Sequence, residues 1–364
     1  MRGLEALVCP QSRQRLTLVS LTEAIARMGG PLVPLRAARE GTPEPFGLTA
    51  EVLLREDARR AYPVVDGVPI LLVPEALGLA SDVHDVDLKN DPRYAEAYQE
   101  MPYYNQWATD EAAKLAREGD TASIRNWPQH QQNFPAPREV WIDFVYDGHE
   151  QWDAYAHLAP MAGKRVLQLG GKGAHAVKFL LAGASESWNL SPMLGEARYA
   201  RALAGVAGVE EKLRCVVAVA EELPFVDGYF DGLFSPSCVH HMVTEQAIPE
   251  SRRVLKPGGR FAAVEPWRAP LYTIGTKLFG KQEPNPYCKP LTRSKVAPLF
   301  STFPDARVIH HGAISRYLLI ALGKIGLEAS RSLAWKIVKV DDAVSSVIPG
   351  LRRFGSGVAL LGTR

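Results

Sequence analysis

The sequence predicts an α/β fold: a doubly wound, mostly parallel sheet preceded by a small α+β domain. Three observations carry this. From Lys164 onward, short apolar runs alternate with helical stretches, the pattern of a parallel sheet covered on both faces. A strand feeds through a glycine-rich turn into a helix at residues 166–181. Residues 1–78 differ in make-up, with short apolar runs rich in Pro and Gly.

In that first zone, Tyr62 to Pro74 reads as two short strands around an Asp66-Gly67 turn. Its prolines restrict them to edge strands or strand ends. Residues 79–160 turn acidic and aromatic and read as a helical connector. Ala95 to Gln106 and Asp110 to Arg117 are expected as helices; Pro128, Pro135 and Pro137 break the next stretch, and Glu139 to Leu158 should end in a helix. Arg165 to Leu169 is then a buried strand, Gly170-Gly171-Lys172-Gly173 a turn, and Ala174 to Leu181 a helix. Ser187 to Leu190 follows as a strand, and Ser191-Pro192 opens a helix over Met193 to Leu203, with Pro at its favoured first position. Strands are expected at Leu213 to Val219, Gly232 to Pro236 and Arg260 to Val264, a helix at Glu245 to Leu255, and a last edge strand at Gly357 to Gly362. The division is 1–78, 79–160 and 161–364, with an insertion at about 270–345.

Length and composition agree. At roughly 150 residues per domain, 364 residues suggest about two domains. The 46% apolar and 23% charged fractions are those of globular proteins and exclude wholesale disorder. A net charge of +2 does not argue for nucleic acid or an anionic membrane by itself. Cys9, Cys215, Cys238 and Cys288 are too scattered for a disulfide framework or a C-x-x-C pair. The first residues contain no continuous apolar run, so no secretory signal is expected and the expected location is cytoplasmic. Tyr317 to Leu322 is far short of the roughly 20 residues a membrane span needs.

The glycine turn alone is a weak signal. It lacks the G-K-[ST] of a phosphate loop and the glycine spacing of a dinucleotide fingerprint. Its context sharpens it. VLQLGGKG, NLSPM, AEELPF, FDGLFS, the His240-His241 pair and RVLKPGGRF follow in order. With them, residues about 140–270 resemble a class I S-adenosylmethionine-dependent methyltransferase of the group that modifies small molecules, whose sheet has seven strands. The resemblance implies S-adenosylmethionine as cofactor. Gly170, Gly171 and Gly173 would pass under its methionine part, Asn189 and Leu190 would reach the ribose, and Val219, Ala220 and Glu221 the adenine edge. Gln168, Lys172 and Ser235 complete the expected set. Four positions depart from the family: it usually has acids at Gln168, Asn189 and Val219, and a glycine at Lys172. Each lost charged hydrogen bond could cost on the order of 1.5–3 kcal/mol. Two alternatives therefore stay open, a scaffold that lost methyl transfer and a non-methylating use of the cofactor.

LVCPQSRQRL and AYPVVDGVPILL resemble a small zinc-ribbon activator domain of methyltransferases. Its ligand pairs are reduced here to Cys9 beside Ser12, and to no cysteine over Arg55 to Ala58. A tetrahedral site needs four ligands, so no metal is expected.

His241, Glu265 and His240 are the catalytic candidates. A histidine at the ligand end of the sheet suits a general base at neutral pH; a backbone-bonded turn histidine is the plain alternative, favoured for His240. Glu265 would orient a substrate group or cap its strand. Tyr103 and Tyr104 are either lid or core aromatics, and Trp267 and Tyr287 complete the expected substrate contacts. His310 and His311, adjacent and without an evident carboxylate cluster, read as a packing pair. Residues 311–340 read as an amphipathic helix pair capping an apolar acceptor pocket, with a lipid surface as the alternative. The expected partner is a small apolar molecule, not nucleic acid.

Overall fold

A computed structural model describes residues 3–36, 43–83, 88–118, 134, 141–142, 148–270, 272–279, 288–327 and 329–364. Tyr287 lies outside these residues. The N-terminal part is a twisted sheet of β1 (Leu16–Ser20), β2 (Leu32–Pro34), β3 (Glu51–Arg55), β4 (Ala61–Val65), β5 (Val68–Pro69) and β6 (Leu77–Leu79), with helix α1 (Leu21–Met28). Its order is β1-β3-β4-β6-β2, with β5 beside β4, and all its pairings are antiparallel. The Asp66-Gly67 turn forms as expected, both residues at positive φ. The proline rule fails for β4, which is flanked on both sides. Pro63 still sits within it, facing Val52, because its carbonyl supplies the bond, accepting from the Ile70 N–H at 2.9 Å.

The second sheet holds β7 (Arg165–Leu169), β8 (Glu186–Ser191), β9 (Leu213–Val217), β10 (Phe230–Pro236), β11 (Leu255–Pro266), β12 (Arg307–His311) and β13 (Gly357–Thr363). Its order is β12-β13-β11-β10-β7-β8-β9. The run from β11 to β9 is parallel, and β13 is antiparallel to both its neighbours. This is the Rossmann-like seven-stranded sheet that the sequence resemblance implied. β13 is not the edge strand expected. Its unbroken apolar run is buried on both faces, and half-exposed β12, which carries no such run, covers its open side.

Helices α2 (Ala95–Glu118), α3 (Gly148–Leu158), α4 (Ala174–Leu181), α5 (Leu194–Val206), α6 (Thr244–Val254), α7 (Tyr272–Phe279), α8 (Arg293–Thr302), α9 (Ser315–Lys324) and α10 (Arg331–Val347) complete the fold. Two expected helices merge into α2, which runs through Pro102. Helix α5 starts after Pro192: Met193 is its N-cap, and the Ser191 hydroxyl accepts from the Met193 N–H at 3.1 Å.

The N-terminal sheet is seated against the second. Ile70 bridges Val217 on β9, and Leu7 bridges Phe225. Leu7, Cys9, Tyr62 and Val64 share one apolar cluster with Trp188, Val216 and Phe225. Arg13 reaches across to the Leu223 carbonyl at 2.6 Å and to Glu250 at 2.7 Å.

Candidate active site

The carboxyl ends of β7, β8 and β9 open into a cleft of about 250 Å3, walled on its outer side by α2 and the turn before it. Gly170 and Gly171 form its floor at φ +85° and +72°. A Cβ on Gly170 would stand 2.5 Å from the Cys238 sulfur, so position 170 excludes every side chain. Leu190, Val219, Ala220, Glu221, Tyr104 and His241 also line the cleft.

The other expected residues lie elsewhere. Gln168 is buried and braces the turn: its Nε2 donates to the Gly170 carbonyl at 2.8 Å, and its Oε1 accepts from the Ala176 N–H at 2.7 Å. Lys172 sits over the Trp107 ring at 3.9 Å, outside the cleft wall. Gly173 caps α4 and packs against Ala200 on α5. Asn189 is fully buried close to Gly173, and neither of its amide atoms finds a hydrogen-bond partner among the described residues. Ser235 is equally buried, its hydroxyl without a partner among those residues. Trp267 packs edge-on against His310, 5.0 Å between centroids, rather than facing the cleft. Tyr103 is exposed and touches Tyr104 edge-on.

The three catalytic candidates separate into two groups. Glu265 and His240 are buried against each other. Glu265 accepts from the Val239 N–H at 2.7 Å and bonds the His240 Nδ1 at 2.6 Å. Neither residue lines the cleft. The pair therefore clamps the turn after β10 onto the end of β11. His241 faces the other way, into the cleft, where its Nδ1 bonds Glu96 on α2 and lies 3.9 Å from Glu100.

Glu96 and Glu100 in the cleft had no sequence signal beyond the acidic tone of residues 79–118, because they reach it only through α2. This helix is pinned by Arg93 and Tyr94, which both bond Glu222, and by Asn105, whose Oδ1 accepts from the Gly195 N–H at 2.7 Å. Glu196 on α5 is buried at the cleft wall. Burial raises its carboxyl to about 7 despite the Ser191 hydroxyl and Lys172. Burial likewise raises Glu221 to about 7, although it accepts from the Val243 N–H at 2.7 Å. Burial also pushes up the Cys238 thiol, as its reading as an inert residue requires.

A second histidine cluster lies at the far end of the same sheet edge. His311 bonds Asp153 at 2.8 Å and Asp342 at 3.0 Å, and stacks on His149 at 5.6 Å. The expectation that no carboxylates accompany His310 and His311 is thus corrected; they arrive from α3 and α10. Two groups, His149 with His311 and Asp342, and His241 with Glu96 and Glu100, bring potential metal-ligating atoms within 4.8 Å of one another. In both, the carboxylates already engage histidine nitrogens. No helix among the described residues is long and apolar enough to cross a membrane.

Residues 167–263 match the family model described as a methyltransferase domain, so this part of the chain is a methyltransferase domain. The 27-O-demethylrifamycin SV methyltransferase of Amycolatopsis mediterranei is 33% identical over 30% of this chain and 42% of its own length. A ubiquinone/menaquinone biosynthesis C-methyltransferase of Brucella anthropi is 36% identical over 28% of this chain and 35% of its own length. The chain therefore spans less than half the length of these curated relatives. A geranyl diphosphate C-methyltransferase from Streptomyces coelicolor, solved with S-adenosylhomocysteine, superposes over 75% of this chain and 99% of its own, with 13% identity and a TM-score of 0.48.

Proposed function

We propose that this protein transfers a methyl group from S-adenosylmethionine to an oxygen, nitrogen or carbon nucleophile of a small, fairly apolar molecule. The observation that carries the reading is the Gly170-Gly171 floor, inside the matched methyltransferase segment, facing His241 across one cleft. The residues present fit the cofactor. The floor admits no Cβ at Gly170, and Leu190 and Ser191 at the end of β8, with Val219 and Ala220 after β9, line the space that the nucleoside would take. Bound there, the cofactor supplies an electrophilic methyl on a sulfonium. Glu196 and Glu221, which both line the cleft, would offer acidic groups to a cationic cofactor. α2 encloses the site, and exclusion of water favours displacement. His241, oriented by Glu96, takes the proton when the acceptor is a hydroxyl or amine. The methyltransferase relatives, which include a rifamycin-type enzyme and quinone C-methyltransferases, support small acceptors, secondary metabolites among them.

A second reading rests on Val219, Asn189 and Gln168, which lack the carboxylates usual at those positions: the fold would be retained for binding, or for a reaction that consumes the cofactor without methylation. Titration calorimetry with S-adenosylmethionine and S-adenosylhomocysteine, followed by mass spectrometry of candidate acceptors, separates the readings. Binding with an acceptor gain of one methylene supports the proposal. Folded protein that binds neither compound refutes it. For the N-terminal sheet we infer a metal-free, ribbon-like docking role, supported by Cys9 closing onto the Tyr62 hydroxyl at 3.3 Å.

A further inference from the structure

Helix α10 has two apolar stripes, one packed inward and one largely exposed. The inner stripe, Ala334, Trp335 and Val338, packs with Leu319 of α9 and Ile142. The outer stripe, Leu333, Ile337, Val340, Val344 and Val347, repeats at the four- and three-residue steps of a helix face, with Ile337 and Val344 half-buried and Ile337 packed on the inner cluster. Leu333 is 48% exposed, Val340 62% and Val347 75%. Ile314 and Leu318 at the start of α9, Ile325 and Leu327 after it, and Ile348 after α10 are exposed as well. Eight of the fourteen exposed large apolar residues among the described residues therefore fall within residues 314–348. Scattered apolar residues need no explanation, but a concentration of this kind marks an interaction surface.

The charges around it say what covers it. Residues 314–354 carry seven Lys and Arg: Arg316, Lys324, Arg331, Lys336 and Lys339 on or beside the two helices, and Arg352 and Arg353 just after them. The same span has three acids. Asp341 is buried, accepting from the N–H groups of Ile314 and Ser315, and Asp342 is engaged by His311. Of the cations, Arg331 donates inward to the Ile142 carbonyl at 2.7 Å and Arg352 lies 3.8 Å from Asp342, while Lys336 and Lys339 fall beside the outer stripe on the helical wheel. An apolar stripe flanked by cations is the complement of an anionic bilayer surface, where the stripe enters the acyl boundary and Lys and Arg meet the headgroups.

We propose that α9 and α10 dock this protein on anionic lipid membranes, a property independent of its catalytic reading. The full chain is mixed with vesicles of phosphatidylcholine alone, or of phosphatidylcholine with phosphatidylglycerol, and sedimented. Binding to the anionic vesicles at least tenfold stronger than to neutral ones, weakened by salt, is expected. The triple variant Leu333→Glu, Val340→Glu, Val347→Glu should abolish it, and Lys336→Glu with Lys339→Glu should weaken it. These side chains are exposed, so the thermal midpoint should not move and serves as the folding control. Absence of binding by the parent, or binding that survives the triple variant, overturns the proposal. So does a lipid-free dimer that the triple variant splits, which would assign the stripe to a second copy.

Discussion

The dipeptide His-His occurs twice on the same edge of one sheet, and the two copies behave differently. His240 and His241 sit on a turn after β10, their ring centroids 4.0 Å apart. Yet His240 is sealed onto Glu265, while His241 opens to the cleft and Glu96. His310 and His311 end β12, where alternation sends them to opposite faces. His310 packs on Trp267, and burial lowers its affinity for a proton. Burial also opposes the charge on His311, but Asp153 and Asp342 outweigh it and raise its pKa to about 9. His240 and His311 are held by carboxylates as part of the framework; His241 also bonds one, Glu96, but within the cleft wall. Only the first pair leaves its second histidine beside a cleft able to hold a ligand.

The largest test of this contrast is His241→Ala. It should lower kcat/KM for an acceptor with a dissociable proton by roughly 100- to 10,000-fold, as expected for loss of a general base. The folded state should be unchanged by circular dichroism. An unchanged rate would return His241 to a packing role. Glu265→Ala should act on stability instead. It strands the buried His240 and the Val239 N–H, at a cost of about 3 kcal/mol in denaturant unfolding.

The far pair predicts a pH dependence. The folded pKa of His311, about 9, lies above the usual 6.5. Its contribution is therefore complete below pH 6.5 and is lost as pH rises through 9. It is about 2 kcal/mol after allowance for the partly exposed partners. Unfolding midpoints at pH 6 and pH 10 should converge in His311→Gln relative to the parent. The smallest effect concerns Glu196. Its carboxyl, at about 7, ionises between roughly pH 6 and pH 8 beside Lys172, Ser191 and Glu100. Binding of the sulfonium cofactor should then strengthen up to about tenfold relative to its neutral thioether product, and Glu196→Gln should flatten that ratio across pH.

The elements around the cleft were legible in the sequence where their structure is local. β7, the glycine turn and α4 fall at the expected residues, because a buried apolar run and glycines at positive φ depend on their own backbone. Gln168 kept its place in that motif but serves it by bracing the turn. Where partners come from distant chain, the sequence was silent. Glu96 and Glu100 reach His241 across more than 140 residues, and Asp153 and Asp342 reach His311 from two different helices. Nothing about RVIHH marked it as the strand that covers β13.

The period of its apolar residues and the placement of its glycines determined by themselves that this chain winds a parallel sheet with an open cleft after its first strand. These signals act within a few residues, through side-chain alternation and allowed φ angles. Tertiary structure alone decided which histidine is framework and which faces the cleft, and which stripe of α10 is covered. Those outcomes depend on carboxylates and apolar faces brought together by packing, and the electrostatics of a buried group are set by its neighbours in space.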